Sequence, residues 1–65
     1  MPLYPDITLQ LSGEDGNALS ILGRARRMAT EAGLSLEERD KFQQEALSGD
    51  YDHLLQTCMK WFAVL

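Results

Sequence analysis

Asp6-Ile7-Thr8-Leu9-Gln10-Leu11-Ser12 sets apolar Ile7, Leu9 and Leu11 against polar Thr8, Gln10 and Ser12 in strict alternation, while everything that follows it reads as helix. Alternation at period two marks a half-buried strand. An extended segment also carries a row of backbone N–H and C=O groups that must find partners. No second strand is visible in the sequence, so the segment is expected either as an extended N-terminal arm or as a strand that pairs with another copy through Ile7, Leu9 and Leu11. The second arrangement would make the protein a homodimer.

Working outward, Gly13-Glu14-Asp15-Gly16 ends the extended segment with two glycines and an Asp-Gly pair, a turn composition. Asn17 stands as a helix N-cap. From Ala18, residues Ile21, Leu22, Ala25, Met28, Ala29 and Ala32 recur every three or four positions and form one apolar stripe. A first helix is therefore expected over Ala18 to Ala32. Gly33 suits a left-handed C-terminal cap, with Leu34 supplying the accompanying apolar contact. Ser35 and Glu38 stand at capping-box spacing and open a second helix, Leu36 to Leu47. Its apolar edge is thin: Leu36, Phe42, Ala46 and Leu47, with Arg39 and Gln43 among them. Glu37 and Lys41 have the favourable i,i+4 orientation on its other side, and Arg27 can pair with Glu31 at i+4 on the first helix.

Ser48-Gly49 makes the next break. Asp50 caps a third helix that starts at Tyr51, and Asp52 suits the positive end of its dipole. The stripe Tyr51, Leu54, Leu55, Cys58, Trp61, Phe62 and Leu65 predicts a helix reaching Leu65. With three of the five aromatic residues, it is expected to anchor the core. The fold class is thus mainly α: one domain over residues 1–65, with a strand and turn over 1–16 and a compact three-helix unit over 17–65.

Sixty-five residues bury a modest core, and the one cysteine, Cys58, precludes an internal disulfide. Stability must come from packing or self-association. No apolar run is long enough for a membrane span and no signal-peptide pattern opens the chain, so a soluble, cytoplasmic protein without membrane contact is expected. Ten acidic against six basic residues give a net charge of −4. That balance disfavours general attraction to nucleic acid. Six of the ten carboxylates fall between Glu37 and Asp52, beside only Arg39 and Lys41.

No constellation demands a particular chemistry. The Gly13–Asn17 loop precedes a helix N-terminus but holds two carboxylates and lacks the Lys and Ser/Thr of a phosphate loop. Asp50, Asp52 and His53 are accounted for by capping and the helix dipole, so no metal and no cofactor is expected. Cys58 sits on an apolar stripe, away from the only histidine, and reads as an inert core thiol. A helix-turn-helix made of the second and third helices would present Asp50 and Asp52 to phosphates, which argues against DNA recognition. Arg24, Arg26 and Arg27 are the only basic cluster, and they project to different sides. The expectation is a non-enzymatic protein whose acidic surface, chiefly Glu37, Glu38, Glu45, Asp50 and Asp52, docks on a basic nucleic-acid-handling partner.

Tyr4-Pro5-Asp6-Ile7-Thr8, the GEDGNA stretch Gly13 to Ala18 with Ile21-Leu22-Gly23, and SGDYDHLL from Ser48 to Leu55 with Trp61 resemble a family of very short bacterial and phage proteins. The resemblance covers most of the chain and carries over no catalytic or binding residue. It implies a small accessory protein in a phage or bacterial setting. Small acidic proteins of that setting resemble inhibitors of host defence, including anti-CRISPR proteins that imitate nucleic acid. That likeness is one of size and charge.

Overall fold

The computed structural model describes all 65 residues, in the order β1 (Tyr4–Leu9), α1 (Ala18–Glu31), α2 (Leu36–Ala46), α3 (Tyr51–Trp61) and β2 (Phe62–Val64). The fold is mainly α with an N-terminal strand. The strand starts two residues earlier than its alternation predicts and ends three earlier, since Tyr4 is its first residue and Leu9 its last.

Its partner, which the sequence leaves undecided, lies in the same chain. β1 pairs in parallel with β2, Leu9 opposite Val64 and Thr8 opposite Ala63, with an irregularity between Tyr4 and Thr8. The pairing continues beyond both strands: Leu65 N–H donates to the Leu9 carbonyl at 3.0 Å, and the Leu11 and Ser12 amides donate to the Leu65 carbonyl at 2.8 and 3.1 Å. The third helix therefore stops at Trp61 instead of running to Leu65. Ile7 and Leu9, expected to pair with another copy, are buried in the core, and Leu11 is half-buried against it.

The caps follow the sequence. Asn17 Oδ1 accepts from the Leu19 amide at 2.9 Å, Ser35 Oγ from Glu38 at 3.1 Å and Asp50 Oδ1 from His53 at 2.9 Å. At the end of α1, Gly33 takes φ +93°, its amide donates to the Thr30 carbonyl, and the Leu34 amide donates to Ala29. Those two bonds complete a Schellman cap. The Ser35–Glu38 box is only half closed. Glu38 Oε2 instead accepts from the Tyr4 hydroxyl at 2.7 Å, which ties β1 to α2.

The core gathers Leu9, Ile21, Leu22, Ala25, Ala29, Phe42, Ala46, Leu54, Cys58, Trp61 and Phe62. Four aromatic rings meet in it. Tyr4 stacks on Trp61 with centroids 5.8 Å apart, Trp61 meets Phe42 edge-on at 5.6 Å, and Phe42 lies 5.1 Å from Phe62. Each such pair contributes roughly 0.5–1.5 kcal/mol beyond its buried area. Tyr51, placed on the stripe by its spacing, is exposed instead, as are Leu36 and Leu47. The Tyr51 hydroxyl reaches back to the Gly16 carbonyl at 2.5 Å, pinning the loop before α1 to the start of α3. No helix is long and apolar enough to cross a membrane.

Candidate protein-binding surface

The five acidic residues singled out by sequence lie on α2, on the cap of α3 and in its first turn, but the fold engages them differently. Glu37 is exposed and accepts no hydrogen bond from another side chain. Asp52 is exposed and accepts only from Gln56, at 3.1 Å. Asp50 is exposed too, with Oδ1 committed to the cap.

Glu38 is half-buried beneath the Tyr4 hydroxyl, and Glu38 holds that phenol above its ordinary range, mainly by accepting its proton in the hydrogen bond. Glu45 forms an ion pair with Lys60 at 2.9 Å. Lys60 holds its carboxyl below the ordinary range, with a smaller contribution from the Trp61 indole N–H, while partial burial opposes both. No hydrogen bond of good geometry closes on Trp61 Nε1, so that indole acts through proximity. Two of the five carboxylates are thus partly structural, a role that depends on Tyr4 and Lys60 and has no local signature.

The remaining acidic groups follow the same division. Asp40 pairs with Arg26 at 3.1 Å and joins α2 to α1, whereas the in-helix pairs Glu37–Lys41 and Arg27–Glu31 do not form. Asp15 folds its own loop, accepting from the Asn17 amide and the Ser20 hydroxyl, both at 3.0 Å. Those two donors, the Asn17 amide first, hold its carboxyl below the ordinary range. A carboxylate is thereby seated where a phosphate loop would seat its anion.

The basic cluster is dispersed and partly used inside the fold. Arg24 donates to the carbonyls of Gln10 and Asp15 at 3.3 and 3.1 Å, and Arg26 is held by Asp40. Only Arg27 of the three keeps an unengaged guanidinium on the surface.

One juxtaposition escaped sequence reasoning. His53 Nε2 lies 3.1 Å from Ser48 Oγ, the separation of a nucleophile and its base. The Glu45 carbonyl decides what this contact is. It accepts from Ser48 Oγ at 2.7 Å and lies 2.9 Å from His53 Nε2. A carbonyl oxygen only accepts, so Nε2 carries a proton directed at it and is not free to take one from the serine. The pair therefore caps the C-terminal end of α2. These residues border a shallow cleft of about 250 Å³ lined by Glu45, His53, Gln56, Thr57 and Lys60.

Cys58 has no exposed surface, and burial pushes its thiol up to about 11. A thiol at that value is almost wholly protonated at neutral pH and a poor nucleophile. No group of three or more His, Cys, Asp or Glu residues gathers to hold a metal ion.

Comparison of the chain with protein-family models, with curated proteins and with solved structures gives no match.

Proposed function

We propose that this chain is a non-enzymatic binding protein whose acidic surface docks on a basic partner, a nucleic-acid-handling complex such as a CRISPR effector, and inhibits it by occupying the groove that nucleic acid would fill. The observation that carries this reading is the distribution of charge. Of ten carboxylates, only Asp40 and Glu45 have an ion-pair partner, so the net charge of −4 is turned outward. In this reading Glu37, Asp50 and Asp52, which are exposed, meet the partner first, while Glu38 and Glu45 are also engaged by Tyr4 and Lys60. Spaced carboxylates on a small rigid body attract a basic groove and speed encounter with it, an effect that salt screens.

The two most reactive candidates of the chain are committed within the fold, which suits a non-enzymatic reading. Cys58 is buried, and Ser48 and His53 are both directed at one carbonyl.

Reversing charge at two exposed carboxylates of this surface that accept no bond from another element, Glu37→Lys with Asp52→Lys, tests the reading. Capture of a basic partner by the tagged protein is expected to fall at least tenfold while the chain stays folded, its thermal midpoint lowered only by the loss of favourable charges in the first turns of α2 and α3, about 0.3–1 kcal/mol each. Undiminished capture by the folded double variant would move the binding surface elsewhere.

A further inference from the structure

α3 is apolar on two sides. Leu54, Thr57, Cys58 and Trp61 face the core. At about 3.6 residues per turn, the other side of the helix carries two adjacent stripes at spacings of four, Tyr51-Leu55-Met59 and Asp52-Gln56-Lys60. In the apolar stripe Tyr51 and Met59 are 47% and 53% exposed, and Leu55 between them is half-buried. Exposed apolar side chains on the other two helices stand singly, Leu19 on α1 and Leu36 at the start of α2, as is ordinary for surface residues.

The charges of the polar stripe are ordered, with the acid in the first turn and the base in the last. Asp52 accepts only from Gln56 of its own helix. Lys60, with 61% of its side chain exposed, commits one N–H to Glu45 and keeps two. A second α3 laid antiparallel on this side would set Asp52 beside Lys60 of the other copy at both ends, whereas a parallel one would set like charge against like. The two stripes ask for the same symmetry axis. Asp52 and Lys60 are symmetric about Gln56, and Tyr51 and Met59 about the neighbouring Leu55. The face also sums to zero charge in a chain of net −4, so it is where two copies approach with least repulsion.

We propose that this side of α3 is a homodimer interface, in which two copies pair α3 antiparallel across a two-fold axis level with Leu55 and Gln56, an isologous contact. A two-fold axis of this kind lays apolar stripe on apolar stripe and polar on polar. Gln56 meets its equivalent, and Asp52 and Lys60 form an intermolecular ion pair at each end. The interface shares only Asp52 with the acidic surface of α2 and α3 and is independent of any partner of that surface. One helix of 11 residues, roughly 16 Å long, from each copy covers less than the ~1,200 Å² of a standard complex. The dimer is therefore weak and is populated only at high concentration.

The test is the apparent mass of the full chain by light scattering from micromolar to millimolar concentration, with the methyl resonances of the three methionines followed in parallel. The mass is expected to rise toward double, and the Met59 methyl to shift with it while that of Met28, on α1, stays. Asp52→Lys puts two cations together at each end and Lys60→Glu two acids, so each variant alone is expected to stay monomeric. An equimolar mixture of the two should recover the dimer, since the mixed pair sets opposite charges together at both ends. A monomer throughout, a rising mass with the Met59 methyl unmoved, or a mixture of folded variants that associates no better than its components would each overturn the proposal. Where Lys60→Glu does not fold for loss of the Glu45 pair, the other chain decides: Asp52→Lys dimerising as readily as the unaltered protein would refute the pairing.

Discussion

Gly49 offers a sharp test of how α2 and α3 are joined. Positive φ is confined to Gly13 and Gly33, so Gly49 is not required for its backbone angle. It is required for space. A Cβ at this position would lie 2.7 Å from His53 Cγ, 2.8 Å from its Cβ and 2.9 Å from Cδ2. Those atoms are the root of the side chain, and the far end of the ring is held at the Glu45 carbonyl, so it cannot swing aside without giving up that bond. Overpacking of this kind costs about 1–3 kcal/mol. In a domain of this length each kcal/mol lowers the thermal midpoint by roughly 4–8 °C, so Gly49→Ala is expected to lower it by about 4–24 °C in far-UV circular dichroism melts. The decisive background is His53→Gly, because alanine at 53 would leave the Cβ contact in place. With the side chain gone, the clash vanishes and only the entropic advantage of alanine over glycine remains. Gly49→Ala should then be neutral or stabilising by about 0.4–1 kcal/mol. An equal cost in both backgrounds, or none in the unaltered chain, would refute the packing described here.

Glycines elsewhere make an opposed pair. Gly23 sits in the exposed interior of α1 with nothing within 4 Å of an added Cβ, so Gly23→Ala should stabilise by about 0.5–1 kcal/mol in urea unfolding. Gly33→Ala should instead destabilise by about 1 kcal/mol or more, since its φ of +93° forms the Schellman cap. Cys58 should react with a thiol reagent only through opening of the chain, so its labelling rate in native buffer should be far below that of the urea-unfolded chain at the same pH and should rise with urea. Glu45 and Asp15 have folded values below their unfolded ones, so their contributions are full above the ordinary carboxylate range and are lost as pH falls through the lowered values. Thermal midpoints should accordingly drop on acidification, and Glu45→Gln should flatten that drop.

The sequence-level reading succeeds where the signal is local. Asn17, Ser35 and Asp50 cap their helices, and Gly33 closes α1, because each needs only neighbours a few residues away. It fails at Phe62-Ala63-Val64, which continues the apolar stripe of α3 without a glycine or proline to end it. A short apolar run fits helix and strand equally. What selects the strand is β1, more than fifty residues earlier, whose unpaired backbone the run satisfies. The same distance hid the Tyr4 bond that leaves the Ser35–Glu38 box half closed. Tyr51 shows the converse error: its spacing fits the core stripe, yet at the first turn of α3 it lies outside the packed interior and spends its hydroxyl on the Gly16 loop. For the candidate surface, the clustering of carboxylates was legible, but their division into outward and internally bonded groups was not. Glu38 and Glu45 take their partners from β1 and α3, and no pattern within α2 announces either contact.

Salt dependence of partner capture tests the proposed function most directly. The tagged chain would be recovered from bacterial lysate across a salt series and its bound proteins identified by mass spectrometry. A basic nucleic-acid-handling complex is expected, progressively lost as salt rises and displaced by its own nucleic acid. Capture that resists salt, a partner without a basic groove, or recovery of the chain with nothing but itself would contradict it.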